Sequence, residues 1–294
     1  IGDNELFAAS DMTPVLDYTS KAVYLEDGDL AVLSRGKLEI KNAGVPVQWK
    51  EELIEWSLED VKKGGFPHYM QKEIYEQPDV FSKTIRALRR EELPGWIQNT
   101  RSVTIVACGT SYHAGLVFKY VAEEVLQVPA RLEFSSEFKY FTPPVHDLVI
   151  GITQSGETAD TIAALKKAHE RNCPTLAVTN VLGSSVTRVA DHTLYMRAGP
   201  EISVAATKSF IAELAVLLHI IDRASGNTLE TRLDSVHLGM EEALLLDLSP
   251  TVEVCRRAEH IFFVGRGPFY PVALEGALKM KEISYIHAEG YAAG

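Results

Sequence analysis

The 294-residue chain contains no apolar run long enough to cross a bilayer, so a membrane-spanning helix is excluded. Cysteine is scarce: Cys108, Cys173 and Cys255 lie far apart, which argues against both a disulfide framework and a zinc ribbon. The opening residues, Ile1 to Ser10, carry neither a basic n-region nor an apolar h-region, so a signal peptide is not expected and a cytoplasmic location is. Positive charge is also in short supply. Lys and Arg number 29 against 40 Asp and Glu, a formal charge of -11, which disfavours nonspecific binding to nucleic acid or to an anionic membrane. This balance does not bear on small anions, which local loops can hold inside an acidic protein. The Gly-x-x-x-x-Gly-Lys-Ser/Thr spacing is missing, so no nucleoside triphosphate is implied. Gly265-Arg266-Gly267 lacks the third glycine of a dinucleotide fingerprint and is set aside. What remains, with 46 % hydrophobic and 23 % charged residues, is the composition of a soluble α/β protein.

Along the chain three kinds of pattern follow one another. Residues 1–40 read as short strands and turns. Ala22-Val23-Tyr24-Leu25, a Glu26-Asp27-Gly28-Asp29 turn and Leu30-Ala31-Val32-Leu33 predict a hairpin. Residues 41–99 read as a polar, helical linker, with a helix over His68–Gln77 that ends before Pro78. From Arg101 short β-branched runs alternate with helical patterns. The runs are Val103–Ala107, Leu148–Ile152 and Pro174–Val178, with helices over His113–Leu126, up to Lys167, and Ser209–Ser225. That alternation predicts a parallel sheet covered on both faces, a three-layer α/β/α domain over 100–228. An internal repeat then appears: Val106-Ala107-Cys108-Gly109-Thr110-Ser111-Tyr112 aligns with Val264-Gly265-Arg266-Gly267-Pro268-Phe269-Tyr270, each after an apolar strand and before a helix. Residues 229–294 therefore read as a connection and the start of a second, incomplete copy, and the chain is expected to be a fragment.

In open parallel sheets ligands bind beyond the carboxyl ends of the strands. Two segments there, Cys108–Ser111 and Thr153–Thr158, combine glycine, small hydroxyls and a following helix N-terminus, a combination suited to a phosphate dianion. The plain alternative is that the hydroxyls are helix N-caps. The second copy has Pro268-Phe269 where the first has Thr110-Ser111, so it is not expected to hold phosphate in that way. Its own feature is Glu275, Lys279 and Glu282, spaced i, i+4 and i+7 on one helix face. This is either a solvated ion-pair stripe or a general base with a lysine tuning its charge.

The words Ala107–Tyr112, Gln154–Thr161, Leu274–Glu289, His68–Pro78 and Val204–Lys208 resemble the sugar-isomerase (SIS) domains of the glutamine–fructose-6-phosphate aminotransferase family. The resemblance implies a flavodoxin-like SIS domain, the start of a second, and a β-rich tail of an N-terminal nucleophile glutaminase domain over 1–40. It implies that Ser111, Thr153, Gln154, Ser155 and Thr158 cradle a sugar phosphate with Thr110 alongside, and that Val204 and Ala205 line the sugar. Glu282 would move the proton between C1 and C2, assisted by Lys279 and Glu275, and Asp11 would hold the amino group of glutamine. Fructose 6-phosphate and glutamine would yield glucosamine 6-phosphate, in a homodimer, with neither metal nor organic cofactor. The family's cysteine nucleophile, ring-opening histidine and Schiff-base lysine have no counterpart in these residues, so the chain alone is expected to be inactive. A non-catalytic phosphosugar-binding module, or a sugar-phosphate isomerase or deglycase that uses no glutamine, are the alternatives.

Overall fold

The computed structural model describes residues 1–2, 5–9, 15, 17–34, 36–54, 62–140 and 147–294. The chain divides into two compact units, Ile1–Tyr69 and Met70–Gly294. In the first, β1 (Lys21–Ala22) pairs antiparallel with β5 (Glu52–Leu53), and β2 (Asp29–Ser34), β3 (Lys37–Asn42) and β4 (Val45–Pro46) form an antiparallel sheet. The hairpin therefore differs from the one read in the sequence. The turn before Asp29 forms, with Asp29 N–H donating to the Glu26 carbonyl at 3.0 Å, but it delivers β2 to β3. The reason is ladder length: β2 and β3 match over six residue pairs from Asp29↔Asn42 to Ser34↔Lys37, whereas the expected partner offered four residues. The stretch from Lys41 to Leu53 also holds strand residues, the end of β3 with β4 and β5, where a helical linker was expected.

Helix α1 (Tyr69–Leu88) opens the second unit and runs on through Pro78, eleven residues further than the sequence suggests. An interior proline costs a helix about 3 kcal/mol. Beyond it, Val80, Phe81, Ile85 and Leu88 are all buried, which offsets that cost.

The main sheet has five parallel strands in the order β10-β9-β8-β6-β7, namely β6 (Val103–Ala107), β7 (Ala130–Phe134), β8 (Leu148–Ile152), β9 (Thr175–Thr179) and β10 (His192–Tyr195). This is the flavodoxin-like order 2-1-3-4-5, whose switch point lies between β6 and β8. Every residue of β6, β8 and β9 is buried, as expected of strands covered on both faces. The alternation of the pleat separates two cores. Ile105, Ile150 and Val178 pack against α2 (Gly109–Val125) and α4 (Lys208–Ala224), through Phe118, Ala122, Val216 and Ile220. Val106, Val149 and Ala177 face the other way, onto Ala164, Leu165 and Ala168 of α3 (Ala159–Glu170). Strands β7 and β10 were not singled out in the sequence: β7 is partly exposed and β10 has only four residues, so neither carries a long apolar run.

Helices α5 (Glu230–Leu244) and α6 (Ser249–Cys255) lead to β11 (His260–Gly265), α7 (Phe269–Ser284) and β12 (His287–Ala292). β11 and β12 are parallel neighbours joined through α7, so the second strand–helix copy read from the sequence is present. The repeat extends to the backbone. Gly109 and Gly267, aligned in the two copies, take φ of 57° and 55°, the left-handed setting that glycine adopts without penalty.

Candidate sugar-phosphate site

The switch point places the two hydroxyl-bearing segments side by side, because β6 and β8 are paired through Val106↔Gly151 just before them. Cys108–Ser111 is not a loop ahead of its helix: α2 starts at Gly109, so Thr110 and Ser111 sit in its first turn. The capping alternative can be judged directly. Neither Cys108, the N-cap of α2, nor Thr158, the N-cap of α3, places its side chain on the helix amides. The Thr158 hydroxyl instead lies 2.8 Å from that of Thr153, which accepts from Gly156 N–H at 3.2 Å. Ser155 Oγ accepts from Glu157 N–H at 3.2 Å, and its side chain is exposed at the rim. The Gln154 carbonyl accepts from Asn180 N–H at 3.0 Å, tying the loop to the end of β9. Gly156 has φ 71°, and a Cβ there would stand 2.0 Å from Ser184 Oγ, so the loop closes only around glycine. Two helix N-termini without side-chain caps, at adjacent strand ends, leave amides and dipoles available to an anion.

The stripe on α7 is solvated only at its Glu282 end. Lys279 Nζ lies 3.4 Å from Glu275 Oε1 and 2.6 Å from Glu282 Oε2, a cation between two carboxylates. Glu275 is buried and reaches α2, where it accepts from Thr110 Oγ1 at 2.9 Å and meets His113 Nδ1 at 2.7 Å. Lys279 also donates to Thr110 Oγ1, at 3.1 Å. Thr110 therefore links the first copy to the charged helix of the second. Glu282, at the far end of the stripe, keeps the more exposed of the two carboxylates.

Behind this layer lies an acid that the sequence reading passed over. Glu213, on α4, is 1 % exposed, and its Oε1 shares a 2.6 Å hydrogen bond with Ser111 Oγ. Its second oxygen, Oε2, is buried and has no partner among the described residues. Burial pushes the Glu213 carboxyl up to about 8, reinforced by Glu201 and Glu275 and opposed by Ser111 and Lys279. At neutral pH it is a carboxylic acid.

The loop after β10 carries the remaining predicted residues. Val204 is 94 % exposed, whereas Ala205 is 1 % exposed, so Val204 alone presents its side chain to solvent. The loop is held from α1: Glu73 accepts from Ile202 N–H at 2.6 Å, from Ser203 N–H at 3.1 Å, and from the Ser203 hydroxyl. Glu76 pairs with buried Lys208 at 2.6 Å and with Lys72 at 3.3 Å. Two words of the sequence that carried only a resemblance, His68–Pro78 and Val204–Lys208, are thus physical partners. Asp11 lies outside the described residues. Among the described residues no group of three His, Cys, Asp or Glu side chains is placed to hold a metal ion, and no helix is long and apolar enough to cross a membrane.

A family model described as the SIS domain matches residues 97–222 and 255–294, the stretches that hold the main sheet and the second strand–helix copy. The chain belongs to the SIS domain family. Among proteins similar to this SIS chain, the glutamine–fructose-6-phosphate aminotransferases (isomerizing) of Methanothermobacter thermautotrophicus and Aquifex aeolicus are each 44 % identical to it. Both alignments cover 100 % of this chain, and 50 % and 51 % of those proteins, so the chain spans about half the length of these relatives. Among solved structures, the C-terminal domain of glucosamine-fructose-6-phosphate aminotransferase from Francisella tularensis is similar at 38 % identity and TM-score 0.68, over 79 % of this chain and 72 % of that one. Glucosamine-6-phosphate deaminase from Thermotoga maritima is similar at 25 % identity and TM-score 0.64, over 77 % and 70 %.

Two residues of this SIS site were missed by sequence reasoning. His113 was taken as the start of a helix, and only the docking of α7 on α2 gives it a carboxylate partner. Glu213 did leave a signal, an acid inside the apolar run Phe210–Leu218, where a charged side chain needs a reason to be buried.

Proposed function

We propose that this chain is the sugar-handling part of a glutamine–fructose-6-phosphate aminotransferase, which makes glucosamine 6-phosphate. The observation that carries the reading is the Glu275–Lys279–Glu282 stripe seated over the first turn of α2 through Thr110 and His113, beside the two uncapped helix N-termini. The phosphate would lie against Ser111, Thr153, Gln154, Ser155 and Thr158, with Thr110 alongside. Val204 and Ala205 of the loop held by Glu73 would line the sugar. Moving a proton between C1 and C2 of a sugar phosphate needs one base that can take it up and return it. Glu282 fits that role because it is the more exposed carboxylate of the stripe and is bonded to Lys279 at 2.6 Å. Glu275, bonded to His113 and Thr110, fixes Lys279 in place.

The same reading assigns residues 1–40 to the tail of a glutaminase domain, 41–99 to a linker, 100–228 to the first SIS domain and 229–294 to the connection and start of a second. Glutamine would be used by the glutaminase domain, and the working enzyme would be a cytoplasmic homodimer. The 44 % identity to two aminotransferases over the whole chain supports the assignment to this enzyme.

Calorimetric titration with fructose 6-phosphate tests the site. Binding should require the phosphate, fail with free fructose, and weaken strongly in Ser155→Ala/Thr158→Ala. In the full-length enzyme Glu282→Gln should abolish synthesis while sugar-phosphate binding stays near wild type. Retained synthesis would remove Glu282 from the mechanism.

A further inference from the structure

The hydroxyl of Ser111 faces two demands. It is proposed above as a donor to the sugar phosphate, yet it is already bonded to Glu213 at 2.6 Å. A serine hydroxyl has one proton and two lone pairs, so it can donate to only one partner. If Glu213 were ionised it could only accept, and the Ser111 proton would point inward, away from the ligand. A buried negative charge would also stand one side chain behind a phosphate dianion.

We propose that Glu213 is a positioning residue that acts in its neutral form: its carboxyl O–H donates to Ser111 Oγ and thereby leaves the Ser111 proton free to turn toward the sugar phosphate. The inference rests on the reading of Ser111 as a phosphate ligand. The geometry supports it independently of titration. Glu213 is 1 % exposed, and its Oε2 is buried without a partner among the described residues, which a neutral acid tolerates far better than a carboxylate does. The charged neighbours agree. Glu201 from the loop before α4 and Glu275 from α7 disfavour ionisation, and Lys279 from α7 favours it but is bonded to both Glu275 and Glu282. His113 of α2 is bonded to Glu275, and on the α1 side Lys208 and Glu76 neutralise one another. Burial outweighs the surrounding charges and holds the acid neutral until about pH 8. Loss of that proton to solvent would then reverse the Ser111 hydrogen bond and place a charge behind the site.

The test is the affinity of the full-length enzyme for fructose 6-phosphate, measured by calorimetry from pH 6.5 to 9.5, in wild type and in Glu213→Gln. The phosphate group is already dianionic over most of this range, since its second pKa is about 6. Wild type should weaken through pH 8, approaching tenfold per pH unit beyond it, as loss of a single linked proton requires. Glu213→Gln, whose amide N–H donates to Ser111 at every pH, should give a flat profile. Equal slopes in the two proteins would overturn the inference. Absence of phosphate-dependent binding at pH 7 in wild type would instead overturn the site reading on which it rests. If Glu213→Gln does not fold, infrared spectroscopy of wild type settles the point. The C=O stretch of a protonated, buried carboxyl should be present at pH 7, fade near pH 8, and persist to higher pH with fructose 6-phosphate bound. Its absence at pH 7 would overturn the inference.

Discussion

The two strand–helix copies share a backbone and divide the chemistry. β6 enters α2 through a glycine at φ 57°, and β11 enters α7 through one at φ 55°. After those glycines the side chains part: Thr110 and Ser111 in the first copy, Pro268 and Phe269 in the second. Carried further along the helices, the same alignment sets Glu275 against Val117 and Lys279 against Val121. The first copy thus has hydroxyls at the helix start and valines where the second has Glu275 and Lys279, and only the third position, Glu124 against Glu282, is acidic in both. The strands differ too. β6 is buried throughout, whereas Phe262 and Val264 of β11 are 60 % and 63 % exposed. One copy supplies a helix N-terminus without a side-chain cap, at the end of a strand buried on both faces. The other brings charge to it from a helix.

This division can be broken experimentally. The largest effect is expected from the second copy: Glu282→Gln should lower synthesis by about 10²–10⁴-fold, measured as kcat of the full-length enzyme. A loss confined to KM would mean that the second copy binds rather than reacts. Next comes a change in the first copy's sheet. Gly156→Ala sets a Cβ 2.0 Å from Ser184 Oγ at a left-handed φ, and should cost about 3 kcal/mol in urea unfolding and abolish sugar-phosphate binding. Glu73→Gln, which weakens three hydrogen bonds to Ile202 and Ser203, should cost about 1–2 kcal/mol and loosen the loop bearing Val204. The smallest stability change belongs to Val204→Ala, within about 0.5 kcal/mol for so exposed a residue, while KM for fructose 6-phosphate rises severalfold. An unchanged KM would take Val204 out of the sugar pocket.

Helix α4, which packs on the main sheet and α2, gives a further measurement. Glu213 titrates near 8 when folded and near 4.5 when unfolded, so the unfolded chain binds fewer protons between those values and stability falls as pH rises through that window. Burial lowers buried His219 from 6.5 to about 4, so there the folded chain binds fewer protons, and stability falls as pH drops from 6.5 toward 4. Thermal unfolding should show both limbs. Glu213→Gln should flatten the alkaline one and leave the acid one in place.

The sequence disclosed what rests on local rules. Fully buried strands announce themselves as apolar runs, so β6, β8 and β9 were readable within a residue or two. β7, at an edge and half exposed, was not. Pro78 misled because a local rule for ending helices was overridden by burial of Phe81 and Ile85, which only tertiary packing reveals. The hairpin at Gly28 failed for a similar reason: its turn was right, but pairing was decided by the longer ladder with β3. In the site, the three charged residues of α7 could be grouped by spacing. Their docking on Thr110 and His113 joins residues 165 and 162 positions apart, and no periodicity encodes that.

The strand order also sets a timetable. β6, the first strand of the main sheet to be synthesised, ends up at its interior, with β7 on one side and β8 on the other. It cannot be sealed into the sheet until Ile152 has been made, so the paired strand ends exist only after that point. Lys279, bonded to Thr110, follows it by 169 residues. At the usual 5–20 residues per second, roughly 10–30 s separate the two on the ribosome. In the part of that interval after β8 is complete, the nascent chain holds the paired strand ends without the charged helix that docks on them.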